Sequence, residues 1–233
     1  MKILARLFLI LTCLLGNMAF ADELKLKSGL MIPVAKNLSP FTLTQYVANP
    51  SAGKSNAQAF TNENLKGKWT LMFFGFTNCP MLCPTSMAQL SNAYQQLQTK
   101  NFSPLPQVVF VSVDPERDTL EKVHTFATTF NPAFIGVRTA DVKALNQMTR
   151  EMDVVFEKVA QPASITGDKD SKSNYTINHS GDIAVINPQG QFAAILTMPH
   201  ETQDLVADYE TIVTNAPQTQ SSGGFLSKLF GKS

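Results

Sequence analysis

The sequence predicts an α/β fold, a mixed β-sheet flanked by helices on both faces and finished by a terminal hairpin and helix. Three observations carry this reading. Apolar runs suited to buried strands alternate with segments of helical period through the middle of the chain. A strong turn signal, Asn187-Pro188-Gln189-Gly190, joins two apolar runs near the end. The length, 233 residues, suits one core better than two large domains. With 44% hydrophobic and 16% charged residues, the chain is too apolar for general disorder and too polar for a polytopic membrane protein. Its 19 basic and 18 acidic residues give a formal charge of +1, and no basic block marks a phosphate-binding surface, so no nucleic acid is expected as a partner.

Residues 1–21 read as a signal peptide: Lys2 and Arg6 precede the apolar run Leu7 to Leu15, and Ala19-Phe20-Ala21 gives a small-x-small cleavage pattern. The apolar run falls short of the roughly 20 residues a spanning helix needs. Cys13 lies inside it, after Thr12, which argues against a lipidated cysteine. Removing the segment leaves 17 basic and 18 acidic residues, a formal charge of −1. Residues 22–67 are expected to form an irregular N-terminal extension joining the domain, with one strand near Phe41 to Val47 among Pro33, Pro40 and Pro50. Ala52-Gly53-Lys54-Ser55 imitates the end of a phosphate-binding loop, but that motif needs glycine where the chain has Ala48.

Residues 68–214 form the predicted domain. Thr70 to Phe76 is a near-continuous apolar run, as in a strand buried on both faces. Met87, Leu90, Tyr94 and Leu97 then share one face of a helix from about Pro84 to Gln98. A strand at Gln107 to Val113, a helix at Asp118 to Phe130, a strand at Phe134 to Arg138 and a helix at Asp141 to Met152 continue the alternation into Val154 to Val159. Gln161 to Asn174 is polar and breaker-rich, a loop long enough to suggest function or mobility. A short strand at Tyr175 to Asn178, the hairpin Asp182 to Ile186 with Phe192 to Thr197, and a helix near Glu201 to Val213 complete a thioredoxin-like arrangement. Residues 215–233 read as a flexible tail, ending in Phe225, Leu226, Leu229 and Phe230 beside Lys228 and Lys232.

With the signal removed, two cysteines remain, Cys79 and Cys83, in a chain bound for an oxidising compartment. They lie between a buried strand and an amphipathic helix, where open α/β sheets place reactive groups. Cys83 is expected to cap the helix with Pro84 as its first residue, bringing both sulfurs to the positive end of the helix dipole. That position favours thiolate, which attacks disulfides and binds metals. A stapling disulfide explains little, because so small a loop removes little unfolded-state entropy. Two thiolates suit copper(I), and an added imidazole also accommodates copper(II). His179 is the best third ligand, delivered by the long loop and the short strand before it. His124 is expected to be partly buried and structural, and His200 exposed at a helix start. Zinc is disfavoured, because structural zinc normally takes four protein ligands. Met81 reads as an exposed loop methionine, and Met87, Met148 and Met152 as core.

The run Phe74-Gly75-Phe76-Thr77-Asn78-Cys79-Pro80-Met81-Leu82-Cys83-Pro84, then Ser112-Val113-Asp114-Pro115-Glu116-Arg117-Asp118-Thr119, then Tyr175 to Ser180 and Asn187-Pro188-Gln189-Gly190, resembles the Sco/SenC family of copper-binding, thioredoxin-like proteins. The resemblance implies that Cys79, Cys83 and His179 ligate copper, as Cu(I) or Cu(II). It also implies a role in delivering copper to the binuclear site of cytochrome c oxidase, or in reducing that site's cysteines, with the oxidase's copper-bearing subunit or another copper or thiol client as partner. The family often has histidine at the position of Asn78 and an acidic residue at that of Met81, departures that bear on affinity, redox potential and client. Asp114 to Asp118 also matches, and is expected to serve the loop and helix start, with Asp118 and Glu121 as a capping pair.

Two classes of function therefore stand at this point: a periplasmic metallochaperone using all three residues, and a periplasmic thiol-disulfide oxidoreductase using Cys79 and Cys83 as a redox-active pair, with a reversible disulfide. The bacterial character of the signal favours the periplasm. Membrane association would come through an uncleaved signal or the C-terminal tail.

Overall fold

The computed structural model describes residues 25–47, 56–161 and 174–216. The expected signal peptide, most of the 161–174 loop and nearly all of the tail lie outside these residues. A single eight-stranded mixed sheet with flanking helices organises the described chain, in the order β1-β10-β9-β4-β5-β6-β2-β3. In chain order the strands are β1 Gly29–Asn37, β2 Thr42–Tyr46, β3 Ala57–Thr61, β4 Thr70–Gly75, β5 Gln107–Ser112, β6 Ile135–Arg138, β7 Phe156–Ala160, β8 Tyr175–His179, β9 Ile183–Ile186 and β10 Gln191–Leu196. The helices are α1 Leu82–Thr99, α2 Leu120–Phe130, α3 Val142–Glu151 and α4 Thr202–Asn215. Strands β4, β5 and β6 are parallel, and β9 adds antiparallel to β4, which makes β4 central.

The apolar run predicted the centre correctly. Every residue of β4 is buried, as is β9, so both faces of the sheet are covered there. Met87, Leu90 and Leu97 of α1 face this core, and Met148 and Met152 are buried as expected. Helices α1 and α4 pack on one another, and the Tyr209 hydroxyl of α4 donates to the Pro104 carbonyl at 2.8 Å. The predicted hairpin forms, with Gly190 at φ +79° closing the turn.

Three expectations are corrected. Within 22–67 the described residues 25–47 and 56–67 are not mainly irregular: β1 pairs with β10 at one edge, and β2 and β3 extend the other edge beyond β6. Prolines and a register shift between Met31 and Lys36 hid β1, because Pro33 is tolerated only on an edge strand or at a bulge. Asp118 does not cap α2. Thr119 does, its side chain accepting from the Lys122 N–H, while the buried Asp118 carboxylate turns toward the β4–α1 loop. The stretch expected after α3 forms β7, which leaves the main sheet and pairs only with β8 as a two-stranded ribbon.

The N-terminal edge is fastened by one buried carboxylate. Asp208 in α4 accepts from the backbone N–H groups of Lys27 and Ser28 at 2.5 and 2.8 Å and from the Ser28 hydroxyl at 2.8 Å. Asp208→Ala should therefore cost roughly 2–4 kcal/mol, the worth of charge-assisted bonds plus the amides left unpartnered. Urea denaturation would measure the loss, and amide exchange should show it concentrated at residues 26–31.

Candidate metal and thiol centre

The centre is built from the end of β4 outward. After Gly75 the chain leaves the sheet, and the Cys79 N–H donates to the Phe76 carbonyl at 3.2 Å. Asp118 holds this loop from outside: it accepts from the Thr77 N–H at 3.1 Å, the Thr77 hydroxyl at 2.5 Å and the Ser112 hydroxyl at 2.6 Å. The position of Cys79 is thus set jointly by the ends of β4 and β5.

Helix α1 begins earlier than its prolines suggest. Met81 is the N-cap, and Cys83 is the second helical residue rather than the cap. Pro84 falls third, still among the positions whose N–H has no intrahelical partner, so its missing donor costs little. Its disfavour of helix at the preceding residue is overcome by packing. The Cys83 sulfur is fully buried against Gly75, where an added Cβ would lie 2.7 Å from it.

The helix start lacks an oxygen cap, and a sulfur supplies one. The Cys83 N–H donates to Cys79 Sγ at 3.3 Å. Cys79 is half-buried, and its thiol is held well below the ordinary range, at about 4. The main cause is the hydrogen bond from the Cys83 side chain, which outweighs the opposing effect of burial; His179 and the backbone of Cys83 and Met81 add to it. Cys83 is pushed up, first by that same bond, then by burial and the neighbouring thiolate charge. The pair is therefore asymmetric: the half-buried Cys79 favours thiolate and the buried Cys83 favours its proton.

His179, the last residue of β8, completes the group. Its Nε2 lies 3.3 Å from Cys83 Sγ, and its ring meets Phe73 and Phe76 edge-on at 6.0 and 5.9 Å. The donor atoms of Cys79, Cys83 and His179 all lie within 4.8 Å of one another. Metal–sulfur and metal–nitrogen bonds of about 2.3 and 2.0 Å would place such donors about 3.5–4 Å apart around one ion, so the arrangement fits a single soft cation after small movement. A surface pocket of about 390 Å³, lined by Phe76, Cys79, Met81, Leu82, Ile177 and His179, opens the site to a partner.

The other histidines stand apart. His124 is half-buried and its ring packs, tilted, against Tyr46 with centroids 4.6 Å apart, in keeping with the structural role expected. His200 is buried, not exposed, because its Nε2 meets the Gly181 carbonyl at 2.7 Å. Met81 is 73% exposed, as expected of a loop methionine. Gly75 has no role in the sequence reading, and Asp118, read there as a helix cap, instead holds the Thr77 loop of the site. Their signal, a buried carboxylate and a glycine against a sulfur, exists only in three dimensions.

A thioredoxin-like sheet whose central strand delivers a dithiol to a helix N-terminus, with an imidazole closing over it, defines a class: thiol proteins able to hold a soft metal. The chain belongs to the SCO1/SenC family, whose profile matches residues 42–214. A Stutzerimonas stutzeri protein named for a suggested copper-binding role is 31% identical over 160 residues, 69% of this chain and 73% of that protein. Arabidopsis thaliana ScoI, solved with copper bound, superposes with a TM-score of 0.62 at 28% identity, over 76% of this chain and 98% of that one. BsSco, described as having a disulfide switch and as a member of the Sco family of cytochrome c oxidase assembly proteins, gives a TM-score of 0.56 over 78% and 96%. At 18% identity that last likeness bears on the fold alone. Mitochondrial relatives from Arabidopsis thaliana, Homo sapiens and Saccharomyces cerevisiae are longer, and the chain spans about half their length.

Since Cys79 is held as thiolate down to about pH 4, its alkylation by iodoacetamide in the reduced chain should keep its rate from about pH 8 to about pH 5. An ordinary thiol near 8.5 would slow about tenfold per pH unit over that range. Mass-mapped alkylation rates for Cys79 and Cys83 separate the two profiles.

Proposed function

We propose that this chain is a copper carrier of cytochrome c oxidase assembly, holding the ion through Cys79, Cys83 and His179 and handing it on by ligand exchange. The observation that carries the reading is the approach of His179 Nε2 to Cys83 Sγ, since a thiol pair working alone has no need of an imidazole brought from a separate ribbon. The donor set, two thiolates and one imidazole, suits copper(I) and accepts copper(II). The half-exposed Cys79 gives an incoming acceptor ligand a point of entry, while Cys83 and His179 retain the ion until the exchange completes. Family membership supports the client, the binuclear copper site of the oxidase.

A second role on the same site is reduction of that client's cysteines. The Cys79 thiolate attacks one sulfur of a client disulfide, and the client's other sulfur leaves as thiolate. Forming the mixed disulfide removes the charge that held the Cys83 proton. Cys83 then deprotonates and attacks Cys79, releasing the second client thiol and leaving a Cys79–Cys83 disulfide. The client gains two electrons and this chain loses two. The half-exposed low-pKa thiol and the buried one pushed toward its protonated form support this order of events.

The domain reading is residues 68–214, to whose sheet the 22–67 extension adds β1, β2 and β3, following export directed by residues 1–21 and with 215–233 as a tail. Export places the domain in the periplasm, where an oxidising environment makes the thiol state consequential. No helix among the described residues is long and apolar enough to cross a membrane.

His179→Ala should weaken copper(I) binding by more than the about 10–100-fold that outer-shell changes cost. The same variant should leave thiol-disulfide exchange at Cys79 largely unchanged. Competition with a copper(I) chelator measures the first, and reduction of a small disulfide the second. Equal copper affinity in variant and parent would leave only the reductase.

A further inference from the structure

His179 is carried by a ribbon that the main sheet does not hold. Among the described residues strand β8 pairs only with β7, so the main sheet's hydrogen bonds do not fix where the imidazole sits. Other contacts must do so, and they gather on Tyr175, the first residue of β8, four positions before His179.

The Tyr175 ring lies between two cations. The Arg117 guanidinium carbon stands 3.6 Å from its centroid, and the Lys158 ammonium nitrogen 3.8 Å. Arg117 also donates from Nη1 to the Tyr175 carbonyl at 2.8 Å, so it grips both ring and backbone. The Tyr175 hydroxyl donates at 2.5 Å to Asp114, which is buried and also accepts from Arg117 Nε at 2.5 Å. Lys158, from β7, reaches Glu116 at 2.7 Å. Arg117 further lies 5.8 Å from the Phe76 ring, which itself abuts His179. Beyond His179 the chain is strapped once more, where the His200 imidazole meets the Gly181 carbonyl.

We infer that Arg117, working with Asp114 and Tyr175, is a positioning residue for metal capture: it locks the β7–β8 ribbon onto the β5–α2 loop and so sets His179 over the two sulfurs. The inference rests on the copper reading for its function, though not for its geometry. A stacked, bidentate arginine is suited to the task. Its planar group can cover the ring while its nitrogens reach a carboxylate and a carbonyl, which a lysine cannot reproduce. Phe73, Phe76 and Cys83 Sγ line the His179 ring itself, but the contacts that tie its strand to the β5–α2 loop gather on Tyr175 and none of them falls on a sulfur, so a loosened clamp frees the imidazole while leaving both thiols in place. The chain would then keep its dithiol chemistry and lose its third ligand.

The test uses the full reduced chain with Arg117→Lys and, separately, Tyr175→Phe. The first keeps the charge beside buried Asp114, and the second keeps the ring while removing its hydroxyl bond. Each should weaken copper(I) binding about 10–100-fold, as loss of a group that orients a ligand does. Each should leave Cys79 alkylation at about pH 8 and disulfide exchange largely as in the parent, because Cys83 rather than His179 is the main support of the Cys79 thiolate. In a His179→Ala background neither should weaken copper binding further, because the clamp acts through that residue. Without metal, carbethoxylation of His179 by diethyl pyrocarbonate, mapped by mass spectrometry, should accelerate several-fold in both variants. Unchanged His179 reactivity in both variants overturns the clamp, whether or not copper binds. A loss of affinity that persists in the His179→Ala background also overturns it, since the effect would then run through the thiols or the fold at large. Accelerated His179 modification in both variants, together with a parent chain that takes up no copper, would uphold the clamp while removing the carrier reading.

Discussion

The constraint on which this structure turns is the unsatisfied start of helix α1. Four N–H groups at a helix N-terminus need acceptors, and here no serine, threonine or aspartate side chain supplies one. Cys79 Sγ fills part of that need, and its thiolate is favoured first by the hydrogen bond from the Cys83 side chain, with the Cys83 backbone adding to it. Everything that follows in the site depends on this asymmetry. One sulfur is charged and reachable, the other is protonated and sealed beneath the helix against Gly75.

That asymmetry suits metal transfer and electron transfer equally, which is why the two roles share one geometry. A soft ion replaces the proton held on Cys83, and an oxidant replaces it with a sulfur–sulfur bond. The imidazole separates the outcomes. With His179 over the pair, an ion gains a third donor; with the ribbon displaced, only a dithiol remains. The burial of Cys83 and the half-exposure of Cys79 and His179 give exchange a direction, since an acceptor must arrive through the pocket beside Met81.

The elements legible from sequence were those whose pattern answers to local physics. The unbroken apolar run of β4, the helical stripe through Met87, Leu90 and Leu97, and the Asn187–Gly190 turn each announce themselves through periodicity or turn chemistry. Strand β1 did not, because Pro33 and a register shift break the alternation on an edge where one face needs no ladder. The exact start of α1 was misread because Pro84 was given the first position, which proline favours; the third serves as well, and a buried sulfur decided between them. The capping pair assigned to Asp118 failed for a related reason: a neighbouring threonine took the cap, and burial drew the carboxylate to Thr77 and Ser112.

By itself the sequence determined the chemistry available: two thiols one residue further apart than in an ordinary redox pair, set between a buried strand and a helix, with a histidine far along the chain. Residue type and short spacing are local properties, and soft-donor chemistry follows from them. Only the tertiary structure decided which sulfur is charged, where His179 lies, and what holds it there. Those depend on distances between segments separated by up to 100 residues, such as the 96 between Cys83 and His179 or the 58 between Arg117 and Tyr175. No periodicity encodes such distances, because they are fixed by burial and by the pairing of groups that meet only when the whole core has closed.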